Sequence, residues 1–212
     1  MALRTLIRGT SLGIMTYGYR SLGGLEIDEY MTQQYGGHLQ YLTIQGLALV
    51  CLTMAMSLRT AKRYLMVMAM PLSVVISSIY WTLISLFPHL IIPQTASEST
   101  APNSSSMSPE IFRIPIYIDL ALHAVPCISL LVDFFFFEKK YNSQEVKIGA
   151  PTAAVGFSIW YVLWVEHCAR MNNGNFPYPF LTDNTLGIRI GIYVGATFIA
   201  MFSFKLINKL HS

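Results

Sequence analysis

Apolar residues in this chain come in long blocks separated by short polar stretches. Blocks rich in Leu, Ile, Val, Phe, Met and Ala run over residues 3–19, 39–57, 64–87, 111–137, 150–168 and 186–208. One helical crossing of a bilayer needs about 20 mostly apolar residues, which the last five blocks supply. In the first, Arg4 and Arg8 leave only Gly9 to Tyr19 uninterrupted. A basic start and a short apolar run also describe a cleaved signal peptide. No small-x-small cleavage site follows in "TYGYRSLGG", however, and arginines at a helix end can snorkel to the interface. The pattern predicts an all-α polytopic membrane bundle of about six transmembrane helices, one integral-membrane domain over residues 1–212.

Composition agrees: 53% of residues are hydrophobic and 12% charged, against roughly 25% charged in ordinary soluble domains. Charge placement adds an orientation. With both termini in the cytosol, the cytosolic segments hold Arg4, Arg8, Arg59, Lys62, Arg63, Lys139, Lys140, Lys147, Lys205 and Lys209. Only Arg20, Arg113, Arg170 and Arg189 fall on the other side, the bias that the positive-inside rule demands. The net charge of +3 thus reflects topology and points to no nucleic-acid partner. The segment "PQTASESTAPNSSSMSPE" (93–110), free of Lys and Arg, reads as a flexible Ser/Thr/Pro-rich lumenal loop. Asn103 in "NSS" is a glycosylation acceptor pattern there. The expected location is the endoplasmic reticulum or another endomembrane. Cys51, Cys127 and Cys168 show no CxxC spacing, so neither a disulfide framework nor a zinc site is indicated.

Ionisable groups inside apolar blocks carry the candidate chemistry, because each is costly to place in lipid. In "IDLALHAVPCISLLVDFFFF" (118–137), Asp119 and His123 are spaced to share a helix face, so the carboxylate can orient the imidazole. Pro126 follows and should kink that helix. A histidine hydrogen-bonded to a neighbouring helix for packing alone is the plainer reading. The second block opens "GGHLQYLTIQGLALV", with His38, Tyr41 and Thr43 near its lumenal end. Membrane threonines usually back-bond to a carbonyl of their own helix, and only a positioned base makes such a hydroxyl a nucleophile. Counted from Ile111, His123 lies about 12 residues, or roughly 18 Å, along its block. Thr43 is shallower, so either that helix starts late or a cavity dips inward. Trp160, Tyr161 and Trp164 read as an interfacial aromatic belt, Glu166 and His167 as a solvated polar pair, and "NFPYPF" as a rigid extended lumenal cap.

Taken together, "YGGHLQYLT" (35–43), "MAMPLSVVISSIYW" (68–81), "LHAVPCISLLVD" (122–133), "YVLWVEHCARMNNGNFPYPFL" (161–181) and "GIRI" (187–190) resemble the androgen-induced family of multi-span membrane proteins. That family includes threonine hydrolases of fatty acid esters of hydroxy fatty acids. The resemblance spans nearly the whole chain and implies a six-helix intramembrane hydrolase with Thr43 as nucleophile and His123 as essential histidine. It departs from the family pattern at Asp119, Asp133 and Glu166, where Asn, Glu and His are usual. A carboxylate at 119 would raise the basicity of His123.

The expected function is an intramembrane lipid ester hydrolase needing no cofactor or metal, whose lipid substrate enters from the bilayer. Thr43 and His123 would be catalytic and Asp119 orienting. Arg113, Arg170 and Arg189 are candidates for a carboxylate head, and Gln45 or Tyr41 for the oxyanion donor. One alternative is a non-catalytic membrane regulator or lipid-binding protein. Another is a metal-dependent lipid enzyme using His38, His123, His167 and Glu166, although no close HxxxH-like pair exists.

Overall fold

The computed structural model describes residues 2–91 and 114–211; the loop 93–110, with Asn103, and Arg113 lie outside them. Among the described residues there are nine α-helices and no strand. They are α1 (Ala2–Leu22), α2 (Glu26–Gln33), α3 (Leu42–Ala55), α4 (Arg59–Leu86), α5 (Ile116–His123), α6 (Val125–Phe137), α7 (Ala150–Met171), α8 (Pro179–Thr182) and α9 (Leu186–Leu210). The fold is an all-α membrane bundle. α4 stands at its centre, packed by α3, α5 and α6 on one side and by α7 and α9 on the other, with α1 closing the first layer against α3, α5 and α6.

Two glycines let these helices approach, as small residues do in membrane bundles. A Cβ at Gly18 of α1 would lie 2.6 Å from the Ala121 Cβ of α5. One at Gly46 of α3 would overlap Ile76 of α4.

The six apolar blocks do not become six equal spans. α4, α9 and the segment Glu145–Met171, where a π-helical turn runs into α7, are each long and apolar enough to cross a bilayer. α5 and α6 form a fourth crossing only as a pair bent by 42°. The break falls at Ala124, two residues before Pro126, where the proline was expected to kink the helix. α3 has 14 residues, about 21 Å of helix rise, short of the ~30 Å hydrocarbon core. Its start is delayed to Leu42 because Gly37–Gln40 forms a 3₁₀ turn.

Arg4 and Arg8 near the start of α1 are turned toward carboxylates of α6 and its C-terminal end. Arg8 grips Asp133 of α6 through two hydrogen bonds (2.7 and 3.1 Å), and Arg4 reaches Glu138 (2.7 Å). The fully buried Lys62 of α4 bonds both Asp133 and Glu138. Asp133 is the anionic centre of a clasp joining α1, α4 and α6.

Candidate active site

α5 carries the imidazole into the bundle two turns from its start at Ile116, about 10 Å in by helix rise. The late start resolves the depth mismatch with Thr43. His123 and Asp119 are both buried. The imidazole Nδ1 is 2.8 Å from Asp119 Oδ1. An ionised carboxylate can only accept, so Nδ1 carries a proton, and in the neutral ring Nε2 is then the nitrogen with the lone pair. Among the described residues Nε2 makes no hydrogen bond.

Tyr80 of α4 holds this pair from a second helix. Its hydroxyl donates to Asp119 Oδ1, and its ring stacks on the imidazole, centroids 3.4 Å apart and planes within 2°. Asp119 is thereby bonded by two donors from two helices, which fixes the ring plane of His123.

Thr43 sits in the first turn of α3, and the carbonyls of the turn ahead of it are engaged by other donors: Leu39 by Gln45 (2.6 Å) and Trp164 (2.9 Å), Gln40 by Tyr161 (3.3 Å). Thr53, deeper in the same helix, does back-bond, to Leu49 (2.7 Å). The α3 start is held instead by Tyr178 of the "NFPYPF" segment. Its phenol accepts the Leu42 amide (3.0 Å), one of the orphan donors of a helix N-terminus. Burial pushes the Tyr178 phenol up, and hydrogen bonding with Thr43 works in the opposite direction. Phe180 stacks on Tyr178 from one side and Tyr41 meets it edge-on. The segment predicted to be a passive cap thus reaches into the site.

Thr43, His123, Asp119, Tyr80, Tyr41 and Tyr178 all line one cavity of about 520 Å³ between α1, α3, α4 and α5. The remaining wall is mostly aliphatic, including Leu22, Ile44, Ile84 and Leu122. The Tyr41 hydroxyl is buried with no hydrogen-bond partner among the described residues. Gln45, the other oxyanion candidate, donates to the Leu39 carbonyl (2.6 Å) and does not line the cavity.

Other expected site residues lie elsewhere. Arg189 is bound by both oxygens of Glu166 (2.9 and 3.0 Å) and covers the Phe176 ring; its charge is already neutralised. Arg170 is exposed at the end of α7. Neither lines the cavity. Glu166 is consequently no solvated residue. Tyr161 is buried, donating to the Gln40 carbonyl (3.3 Å), and belongs to the core instead of an aromatic belt. The metal-ligand candidates are dispersed. His38 pairs with Asp28 (2.8 Å), His167 meets the Tyr35 hydroxyl (3.3 Å), and no three His, Cys, Asp or Glu side chains converge among the described residues.

Sequence comparison places this geometry in a family. Residues 10–212 match the model of FAR-17a/AIG1-like proteins. The chain belongs to the FAR-17a/AIG1-like family. A UPF0641 membrane protein of Schizosaccharomyces pombe is 27% identical over 196 residues, covering 87% of this chain and 79% of the relative. No solved structure matches. Membership agrees with the resemblance carried by the quoted motifs and with an integral membrane protein.

Proposed function

We propose that this FAR-17a/AIG1-like protein is an intramembrane carboxylic ester hydrolase acting on lipid esters, with fatty acid esters of hydroxy fatty acids as the substrate class. The observation that carries the reading is the shared cavity: a threonine without back-bonding and a histidine with one nitrogen held by a carboxylate open onto the same apolar-walled space.

In this reading His123 Nε2 takes the Thr43 proton as Oγ1 attacks the ester carbonyl, and Asp119 holds the ring and stabilises the imidazolium, the division of labour seen in hydrolase triads. The tetrahedral oxyanion accepts a hydrogen bond from the unengaged Tyr41 hydroxyl. Collapse breaks the ester C–O bond, and His123 returns its proton to the leaving alcohol oxygen. A water molecule then attacks the acyl–Thr43 ester with His123 again as base, releasing the acid. Substrate enters from the bilayer, where its chains are soluble. The charge bias further supports cytosolic termini.

A protein that only binds lipid would use the cavity without any need for the Asp119–His123–Tyr80 arrangement. Treating detergent-purified protein with an activity-based hydrolase probe and mapping the adduct by mass spectrometry tests the difference. The hydrolase reading expects modification of Thr43, lost in His123→Ala; an unmodified Thr43 beside hydrolysing protein would overturn it.

A further inference from the structure

A second hollow opens at the other side of Thr43. It lies between α4, α7 and α9, has a volume of about 130 Å³, and shares Thr43, Tyr80, Ile91 and Tyr178 with the first cavity. That is roughly ten times the space one water requires. Its wall runs past Met68, Leu72, Ala154, Val162, Ala196 and Ala200. From Ile192 to Ala200 along α9 this is about 12 Å of helix rise.

Ser158, Tyr161, Tyr193 and Thr197 in this wall already have hydrogen-bond partners. Thr197 donates to the Tyr193 carbonyl (2.8 Å), and its oxygen lies 2.8 Å from the Ser158 hydroxyl. The Tyr161 hydroxyl goes to the Gln40 carbonyl (3.3 Å) and that of Tyr193 to Glu166 (3.2 Å). A polar ligand would have to break these bonds to bind, and an unpaired polar group in such a place is penalised. Hydrocarbon loses nothing. The first cavity differs: among the described residues the His123 Nε2 in its wall has no hydrogen-bond partner.

We infer that the slot between α4, α7 and α9 is the acyl-chain site, and that Ala196 and Ala200 set the length of acyl group the protein accepts. The inference rests on the hydrolase reading and on where the proton must go. His123 takes the proton from Thr43 and delivers it to the departing alkoxide oxygen, so the alcohol half leaves on the His123 side. The acyl carbon is then bonded to Thr43 Oγ1, and its tail takes the remaining opening, the slot. The two halves of one ester are sorted to two cavities by the direction of proton transfer.

The test is a matrix of esters in which acyl length and alcohol length vary independently, hydrolysed by wild type, Ala200→Val, Ala200→Phe and Ala48→Phe, the last on the exposed face of α3. Ala200→Phe lowers the ratio of hexadecanoyl to butanoyl ester hydrolysis by about tenfold or more, the scale on which hydrophobic pockets discriminate chain size. Ala200→Val gives a smaller drop and Ala48→Phe leaves the ratio as in wild type. A penalty that follows alcohol length, or falls equally on all esters, overturns the assignment. If wild type hydrolyses none of them, the hydrolase reading fails, and a diazirine-bearing hexadecanoic acid becomes the readout. Photoadducts on α7 and α9 peptides that vanish in Ala200→Phe preserve the slot as an alkyl-chain site; adducts unaffected by that substitution overturn it.

Discussion

The ring of Tyr80 lies flat on the imidazole of His123 while its hydroxyl donates to Asp119, so a single α4 side chain constrains both members of the α5 pair. Stacking fixes the plane of the base; the hydrogen bond fixes the carboxylate that orients it.

Replacing Tyr80 separates these two effects. Tyr80→Phe keeps the stack and removes one donor from Asp119, and kcat is expected to fall by a few-fold. Tyr80→Ala loses both, and the fall reaches about 10–100-fold, the range seen when groups that orient a functional imidazole are removed. Asp119→Asn is expected to slow turnover on the same scale without abolishing it, because the amide oxygen still accepts from Nδ1–H. Steady-state kcat and KM of the three variants check this; unchanged kcat in Tyr80→Ala would remove Tyr80 from the account.

The clasp at the other end of the bundle predicts stability effects without loss of chemistry. Lys62→Met leaves Asp133, which is fully buried, short of one partner. Arg8 still pairs with Asp133, so the cost stays below the about 3–5 kcal/mol of a buried charge left with no partner, and a lowered thermal unfolding temperature in detergent should show it. Because Arg8 supplies the other cation, α1 is expected to stay in the mature protein. Intact-mass measurement of protein from membranes should therefore find the sequence beginning ahead of Arg8.

The cytosolic placement of the termini proposed from the charge bias can be tested directly. Single cysteines placed in residues 95–108 of a variant lacking the native ones should be labelled from the lumenal side only, and Asn103 should be accessible there. Labelling from the cytosolic face would overturn the cytosolic placement of the termini.

Much of this was legible in the sequence because its signals are local. Apolar blocks marked the helices, Pro126 marked the α5–α6 break, and the spacing of Asp119 and His123 put them on one face. Local pattern is silent on what meets across helices. Nothing in "SSIYW" distinguishes Tyr80 from an interfacial tyrosine, and nothing between the prolines of "FPYPF" says that Tyr178 caps a helix start 136 residues away. The same holds for Arg4 and Arg8 of α1: their partners Asp133 and Glu138 are distant in sequence, so the sequence offers snorkelling as one way to satisfy them and does not show the clasp. Arg189 was read as a free cation because Glu166, one helix earlier, carries no sequence mark of facing it.

The central claim is that Thr43 and His123 act as one unit across the shared cavity. Hydrolysis of a hydroxy-fatty-acid ester by wild type, Thr43→Ala, His123→Ala and the double variant, each shown to be monodisperse, tests it most directly. Each single substitution is expected to abolish turnover, with the double variant no worse than either, because residues of one catalytic unit are not additive. Turnover by His123→Ala at the wild-type rate would contradict the mechanism.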